Sequence, residues 1–387
     1  MSKTIGHESA KDFCASSRRS SGRVRLPIAP KAQARIRYSP DKSLPRALTP
    51  DQAINWLDYL EKQGESIKVI SITGPGDPLA TPWLTLQTLD LLREKYPDVS
   101  LCGTTLGFGA AASAGRFSEL GLAHVSILMD AVDPAVVQKL YAWIRPGAKT
   151  LPLSVTAPLL IEEQAESITA LVDARVPVQV KTTIYPGINS VSIEDIATKA
   201  AGLGVSEMKL FPIQARGDDF PQPFDELGPE ELESLVSRAA RRLPTQFIDL
   251  ASCQDVIEMD INDPAASRAT LPKPDNKRPN LAVCSSDGFD VDLHLGQTGQ
   301  YLIYGPKDGP VVLLEVRPAP ETGTGDARWL ETALLLHDCF AVLAAAAGAV
   351  PKRILSEKGL PVLTQEGTVE GLVDVLYGGG KKKGAKK

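Results

Sequence analysis

The segment that decides the fold reads Arg23-Val-Arg-Leu-Pro-Ile-Ala-Pro-Lys-Ala-Gln-Ala-Arg-Ile-Arg-Tyr-Ser39. It opens with a short apolar run that predicts a β-strand, and similar runs recur along the chain. The six strands predicted in this way are Val24–Ala29, Lys68–Thr73, Val99–Thr105, His124–Asp130, Val176–Ile184 and Met208–Ile213. Helical patterns lie between them. This alternation predicts parallel strands with crossover helices, and therefore an α/β fold that forms a barrel or part of one.

Start signals mark several of the helices between these strands. Thr49-Pro50-Asp51-Gln52 offers an N-cap, a proline at the first helical position and a capping-box partner. Thr81-Pro82 has the same form before a predicted helix at Trp83–Lys95, and Ser192 precedes one at Ile193–Gly202. In α/β barrels the site lies at the C-terminal ends of the strands. The prominent loops of this chain leave such ends after Pro30, Thr73, Thr105 and Tyr185.

A second domain is predicted beyond a linker. Residues 264–280 are polar and rich in proline, which predicts a linker between a first domain at 23–263 and a second at 281–377. Residues 1–22 are expected to form a flexible segment and residues 378–387 a disordered basic tail. The predicted elements of the second domain are strands at Leu281–Ser285, Tyr301–Tyr304 and Val311–Val316 and helices at Ala327–Ala347 and Glu366–Tyr377.

Composition excludes some classes of function. The net charge of -5 gives no basic field for holding nucleic acid. The apolar runs are too short for a membrane helix, and the N-terminus has no hydrophobic signal core. Five cysteines at widely separated positions suit reduced thiols better than a disulfide framework. We therefore expect a cytoplasmic protein that binds neither nucleic acid nor membrane.

Segments spread along the chain carry a resemblance to a known family. The matching segments are Leu26–Lys31, Ile72–Ala80, Leu101–Gly107, Asp130–Pro134 and Val180–Asn189. In this order they resemble NifB, the nitrogenase cofactor maturase, a family of radical enzymes that use S-adenosylmethionine (SAM). The resemblance covers roughly residues 23–377. It implies a partial barrel of the radical SAM type, a role in nitrogenase cofactor biosynthesis, and other nitrogenase cofactor assembly proteins as partners.

The chain departs from the NifB pattern where the family holds an iron–sulfur cluster. In the family the first strand leads into a Cys-x3-Cys-x2-Cys triad, and at that spacing this chain has Ala32, Ile36 and Ser39. A site-differentiated cluster needs three thiolates. We therefore expect the barrel cluster to be missing and the reductive cleavage of SAM to be lost. Cys14 supplies one thiolate, which cannot replace three.

The loop that resembles the SAM-binding loop of the family is retained. In Gly74-Pro75-Gly76-Asp77 the glycines allow close approach of the backbone to a ligand, and Asp77 can accept a hydrogen bond from an ammonium group. Thr105 ends the next strand and belongs to the same candidate site. Two interpretations stand: a retained site for SAM or another small ligand, or a turn with only a structural role.

The second domain resembles the NifX-like domain, which the resemblance implies has a ribonuclease-H-like fold and carries iron–sulfur cofactor precursors. His294 stands on the histidine of that motif and is the candidate ligand for a cluster iron. Cys284 and Cys339 are further candidates, although both also suit core positions. Cys253 is the remaining thiol of a family Cys-x2-Cys, and Cys14 is a weaker candidate.

Three hypotheses follow. The first is a NifB homologue that binds or transfers an iron–sulfur cofactor precursor without radical chemistry. The second is an active radical SAM maturase whose cluster ligands come from Cys14, Cys253 or a partner chain. The third is a metal-free interaction or regulatory protein that senses a small ligand through Gly74–Asp77.

Overall fold

The structure is a computed structural model. It describes residues 22–39, 47–147, 151–213, 224, 227–248, 256–259, 269–307, 309–323 and 325–378. The chain divides into two compact units, Met1–Ala266 and Ser267–Lys387, each of which is described by itself. In the described residues, no helix is both long and apolar enough to traverse a lipid bilayer.

Parallel strands dominate the first unit. They are β1 (Arg23–Ala29), β3 (Val69–Pro75), β4 (Ser100–Thr105), β5 (His124–Leu128), β7 (Val178–Ile184), β8 (Glu207–Pro212), β9 (Thr245–Phe247) and β10 (Val256–Ile257). Their order in the sheet is β10-β1-β3-β4-β5-β7-β8-β9, and every neighbouring pair is parallel. The six strands predicted from the sequence are confirmed, and β9 and β10 extend the sheet at its edges.

Helices cover the outer face of this sheet. They are α1 (Pro50–Lys62), α2 (Pro82–Lys95), α3 (Ala110–Glu119), α4 (Pro134–Leu140), α5 (Leu153–Asp173), α6 (Ile193–Gly202) and α7 (Pro229–Ala240). Alternate strand residues such as Val125, Ile127 and Val180 belong to one apolar core with residues of these helices. The residues between them point the other way, into the partial barrel predicted from the sequence.

The helix start signals are confirmed in part. Thr49 forms the full capping box, in which its hydroxyl accepts from the Gln52 amide and the Gln52 side chain accepts from the Thr49 amide, at 3.3 and 3.1 Å. Thr81 and Ser192 precede α2 and α6 as expected, but among the described residues neither side chain makes a capping hydrogen bond. The backbone of Thr81 lies at ψ 68°, outside the extended region that an N-cap usually adopts.

A small antiparallel pair lies apart from the main sheet. β2 (Ala34–Ile36) follows directly on the loop after β1, and it pairs with β6 (Tyr141–Ile144). Two backbone hydrogen bonds flank the pair, from the Arg37 amide to the Leu140 carbonyl at 2.8 Å and from the Arg145 amide to the Gln33 carbonyl at 2.6 Å. The segment after β1 is therefore held by strand pairing, which the sequence analysis did not predict.

The second unit is a mixed sheet with helices. Its strands are β11 (Asn280–Val283), β12 (Asp290–Val291), β13 (Gln300–Pro306), β14 (Val311–Pro318), β15 (Cys339–Ala344), β16 (Val362–Thr364) and β17 (Gly367–Thr368), and its helices are α8 (Asp326–Leu335), α9 (Ala349–Glu357) and α10 (Val369–Leu376). The main sheet has the order β14-β13-β11-β15-β16, in which β11, β15 and β16 run parallel. β12 pairs separately with β17.

The helix predicted at Ala327–Ala347 is wrong in its second half. α8 ends at Leu335, and Cys339–Ala344 is a strand that lies between two parallel neighbours. All six residues of this strand are buried. A strand that is buried on both faces is apolar throughout, and over so short a run its periodicity cannot be distinguished from that of a buried helix end.

Candidate functional site

The loops that follow β1 and β3 touch each other through their backbones. The Gly76 amide donates to the Ala29 carbonyl, and the Asp77 amide donates to the Lys31 carbonyl, both at 2.7 Å. A Cβ atom at Gly76 would overlap the backbone of Lys31, whereas a Cβ atom at Gly74 would meet open space. The close approach that requires glycine at position 76 is therefore an approach between two loops of the protein.

The carboxylate of Asp77 joins the ends of β3 and β4. It accepts from the Leu79 amide at 2.8 Å, from the Thr105 hydroxyl at 2.7 Å and from the Leu106 amide at 2.5 Å. Burial raises the pKa of Asp77, and these three hydrogen bonds act against that shift. Asp77 and Thr105 are thus in direct hydrogen-bond contact. The polar groups of these two side chains form hydrogen bonds with each other and with backbone amides of the protein.

Apolar packing occupies the place where the family pattern puts cluster ligands. Ile36 and Tyr38 pack against a buried apolar cluster that includes Leu106, Tyr141, Ile144 and Tyr185. The Tyr38 ring lies 4.8 Å from the Phe224 ring and 6.0 Å from the Tyr185 ring, measured between centroids. Ala32 and Ile36 carry no donor atom, and Ser39 is exposed. These residues do not fit an iron–sulfur cluster.

Other ligands for a metal ion would be His, Cys, Asp and Glu side chains in the described part of the chain. No three His, Cys, Asp or Glu side chains come together there in a way that could hold a metal ion. Cys14 and Cys253, which the sequence analysis named as candidates, lie outside the described residues. Cys102 is buried in β4, where its thiol donates to the Ile70 carbonyl at 3.7 Å.

A buried carboxyl group lies at the C-terminal end of β5. Asp130 is 8% exposed and accepts from the Thr183 amide at 2.7 Å. Burial raises the pKa of Asp130 to about 7. The side-chain amide of Asn189 donates to the backbone carbonyls of Asp130 and Thr183 at 2.9 and 2.8 Å. It thereby links the chain after β5 to β7. Asp130 is therefore a buried carboxyl group with a raised pKa at the strand ends. In the sequence it stands out only as the first residue of the matching segment Asp130–Pro134.

In the second unit His294 stands at the C-terminal edge of the sheet. It forms a parallel bridge with Ala346, just beyond the end of β15. Its Nδ1 accepts from the Gly296 amide at 2.9 Å and so caps the short 3-10 turn Leu295–Gln297. Because Nδ1 is an acceptor in this arrangement, the neutral imidazole carries its proton on Nε2, and ligation of a metal ion through Nε2 requires that proton to move.

The two cysteines of this unit lie at opposite ends of its central strands. Cys339 pairs in register with Asn280, at the start of β11, whereas the amide of Cys284, just after β11, donates to the Leu343 carbonyl. Four residues of strand separate the two levels, or about 13 Å. Cys284 therefore shares the edge of the sheet with His294, and Cys339 does not.

Both thiols are poor metal ligands in their present surroundings. Each cysteine has no measurable exposure. Burial raises the pKa of Cys284 to about 11 and that of Cys339 to about 12. A thiol must lose its proton to bind a metal ion. Among the candidates in the second unit, His294 is the partly exposed one.

Comparison with known proteins gives consistent results for both units. Residues 278–379 match the family model described as dinitrogenase iron-molybdenum cofactor. The FeMo cofactor biosynthesis protein NifB of Chlorobaculum tepidum is 33% identical over 387 residues, covering 95% of this chain and 90% of that relative. The protein of the same name from Frankia alni is 26% identical and covers 81% of this chain and 74% of its own length.

One similarity to a solved structure is weaker. SuiB of Streptococcus suis bound to S-adenosylmethionine gives a TM-score of 0.45 at 10% identity, over 60% of this chain and 52% of that chain. A similarity this low carries no argument.

The first unit is thus a parallel α/β sheet, and the second is a NifX-like mixed sheet. Identity to relatives named NifB extends across both. The chain belongs to the NifB family. The resemblance read from the sequence is confirmed at the level of the family.

Proposed function

We propose that this NifB-family protein serves nitrogenase cofactor biosynthesis by binding or transferring an iron–sulfur cofactor precursor, without radical SAM chemistry. The precursor is cargo, and the imidazole of His294 is its anchor in the NifX-like domain. The protein acts in the cytoplasm together with other nitrogenase cofactor assembly proteins. Its relatives are named as FeMo cofactor biosynthesis proteins, which supports the pathway.

One observation carries the non-radical part of the proposal. The segment that replaces the cysteine triad has no thiols, and its Ile36 and Tyr38 are packed into an apolar cluster. A redox cluster needs sulfur ligands and space for SAM beside its unligated iron. Backbone pairing of Ala34–Ile36 with Tyr141–Ile144 holds this segment in an arrangement without sulfur ligands.

The His294 part of the proposal rests on exposure and chemistry. The imidazole is partly exposed at a sheet edge, and its second ring nitrogen is fixed by the Gly296 amide. To bind iron the imidazole must give up the Gly296 hydrogen bond, because the nitrogen opposite a metal-bound one carries the proton of the neutral ring. Neither buried thiol offers the same access.

Iron retention tests the cargo role. The full chain, purified anaerobically and loaded with iron and sulfide, is compared with His294→Asn and His337→Asn. Asparagine at 294 keeps an acceptor for the Gly296 amide, because asparagine is a good N-cap, but it has no imidazole. His337 is an exposed histidine that precedes the N-terminal end of β15, whereas His294 lies beyond its C-terminal end. His337 therefore serves as the matched control. We expect the wild type and His337→Asn to retain iron and His294→Asn to lose most of it. Equal iron contents in the three proteins would remove His294 from the proposal.

Product analysis tests the absence of radical chemistry. The loaded protein is incubated with SAM and a strong reductant, and 5′-deoxyadenosine is measured by chromatography. We expect none above the level of a reaction without protein. Formation of 5′-deoxyadenosine in proportion to protein would favour the active maturase with rearranged ligands. In that case Cys14→Ser and Cys253→Ser identify whether those thiols supply them.

A further inference from the structure

The outer face of the small ladder between β2 and β6 carries basic and aromatic side chains. Ile36 packs against a buried apolar cluster. Arg35 and Arg37 flank Ile36 in the chain and therefore point away from that cluster. Strand register places Arg35 beside Trp143, and the guanidinium of Arg145 lies over the Trp143 ring, 4.5 Å from its centroid. We call these four side chains, Arg35, Arg37, Trp143 and Arg145, the arginine–tryptophan face.

Backbone hydrogen bonds hold this face together. The Arg37 amide donates to the Leu140 carbonyl, and the Arg145 amide donates to the Gln33 carbonyl. Nη2 of Arg37 also donates to the Gln138 carbonyl, at 3.3 Å. A surface whose backbone is already fixed in a ladder loses little freedom when a partner binds to it.

The positive charge of the face comes from Arg37 and Arg145. Both side chains are exposed. Within the described part of the chain, Arg37 contacts the Gln138 carbonyl and Arg145 contacts the Trp143 ring, and neither forms an ion pair with a carboxylate. The chain segments that build the ladder, residues 23–39 and 134–147, contain no aspartate or glutamate. The face is therefore a positive surface on a chain whose net charge is -5.

The chemistry of the face suits carboxylates. A guanidinium group presents planar N–H donors that match the two oxygens of a carboxylate, and it can contact an aromatic ring at the same time. Arg145 already has such a ring in Trp143. The indole is partly exposed, so it also offers an apolar surface beside the two exposed cations.

We propose that the arginine–tryptophan face binds a short acidic segment of a partner protein. Carboxylates of that segment bind Arg37 and Arg145, and an apolar side chain between them packs on Trp143. Nucleic acid and anionic membranes are extended polyanions, and the net negative charge of the rest of the chain opposes their approach. A short segment contacts the positive face alone. The proposal concerns a surface of the first unit and does not depend on His294 or on the cargo role.

Fluorescence anisotropy with the full chain tests this surface. The probe is a short labelled peptide in which glutamate alternates with leucine, and the comparison peptide has glutamine in place of glutamate. We expect saturable binding of the glutamate peptide, weakened by added salt, and no saturable binding of the glutamine peptide. Arg37→Gln and Arg145→Gln should each weaken binding by about threefold, and the double variant by about tenfold, because exposed ion pairs are individually weak.

Arg241→Gln is the matched control. Arg241 stands at the C-cap of α7, and its side chain is 65% exposed. The variant removes the same charge from another part of the first unit, so it should bind the peptide as the wild type does. Equal weakening by Arg241→Gln and Arg145→Gln would mean general attraction by charge and would overturn the proposal.

Trp143→Leu removes no charge, but it takes away the ring over which Arg145 lies. It should weaken peptide binding by about threefold without changing the circular dichroism spectrum. If this variant does not fold, the two arginine variants, which change exposed side chains, still decide the question. The absence of saturable peptide binding by the wild type contradicts the proposal. Tighter binding of single-stranded oligonucleotide or of phosphatidylserine vesicles than of the glutamate peptide also contradicts it.

Discussion

The carbonyl oxygen of Lys31 accepts a hydrogen bond from the Asp77 amide at 2.7 Å. This bond joins the loop after β1 to the loop after β3. The same Lys31 backbone leaves no room for a side chain at Gly76. Asp77 then continues the connection to β4 through Thr105 and Leu106. Three consecutive strand ends are thus joined by contacts within the protein.

Gly76→Ala tests this connection against its neighbour Gly74→Ala. A methyl group at position 76 overlaps backbone atoms of Lys31, which cannot move aside as a side chain can. We expect a loss of about 3 kcal/mol in the free energy of unfolding. At position 74 the methyl group meets open space, so the change should stay within about 0.5 kcal/mol. Urea unfolding measures both, and equal losses would contradict the close approach at Gly76.

A triple variant, Ala32→Cys with Ile36→Cys and Ser39→Cys, tests whether thiols alone restore radical chemistry. It supplies the family spacing of sulfur atoms, but the pairing of β2 with β6 still holds the segment. Replacing Ile36 also removes apolar contacts, at a cost of about 1 kcal/mol. We expect no 5′-deoxyadenosine from SAM after anaerobic loading with iron and sulfide. SAM cleavage by this variant would mean that the strand pairing is no obstacle.

Asp130→Asn should change how stability depends on pH. The pKa of Asp130 is about 7 in the folded protein and ordinarily 3.8. The folded state therefore holds a proton that the unfolded state releases, so the stabilisation is complete below pH 4 and is lost as the pH rises to 7. Asparagine has no proton to hold. Relative to the wild type, the variant should gain on the order of 4 kcal/mol between pH 4 and pH 7.

The measurement for Asp130 is the difference between the variant and the wild type in urea unfolding at pH 4 and pH 8. The difference is needed because His124, with a pKa lowered mainly by burial to about 3, acts in the opposite sense. Protonation of His124 in the unfolded state removes stability as the pH falls below 6.5. That contribution is common to both proteins and cancels. A difference that does not change with pH would show that Asp130 is not a proton-holding group.

Asp338→Asn should destabilise the NifX-like domain. Arg317 holds the Asp338 carboxylate with two hydrogen bonds at 2.6 and 2.7 Å, and Asn280 adds a third at 2.8 Å. These bonds, that of Arg317 above all, hold the pKa of Asp338 well below its usual range. Its stabilisation is therefore present above pH 4 and is lost as the pH falls. We expect the variant to lose about 2 kcal/mol at pH 7.

Glu315→Gln is the control for Asp338. Glu315 contacts the same Arg317, but its side chain is 54% exposed, whereas that of Asp338 is 22% exposed. Solvent screens an exposed ion pair, so the loss should be about 0.5 kcal/mol. Thermal unfolding at pH 7 and pH 3 follows both variants. Equal losses at pH 7, or a loss for Asp338→Asn that persists unchanged at pH 3, would contradict this assignment.

The barrel was predictable from the sequence because its strands are short, nearly continuous apolar runs between clear helix starts. The same kind of run predicts the end of a helix at Cys339–Ala344, where the structure has a central strand. Alanine favours helices in isolation. Here the segment forms a strand because it pairs with the parallel neighbours β11 and β16.

The strand at Ala34–Ile36 has a signal in the sequence. Ala34, Ile36 and Tyr38 alternate with two arginines, which is the pattern of a strand with one apolar face. The partner strand Tyr141–Ile144 lies more than 100 residues away, and no local pattern could have identified it. The cross-strand neighbours of the two arginines likewise depend on strand register, which a single sequence does not fix.

The ladder between Ala34–Ile36 and Tyr141–Ile144 bears on the evolutionary history of this family member. Once such pairing has formed, three codon changes return sulfur to the sequence but not the open loop that a cluster occupies. A lineage that reverted would first have to break the ladder and expose Ile36 and Tyr38, and selection for stability opposes that intermediate. Thiols at positions 32, 36 and 39 and the ladder between Ala34–Ile36 and Tyr141–Ile144 are therefore alternatives for the same stretch of backbone.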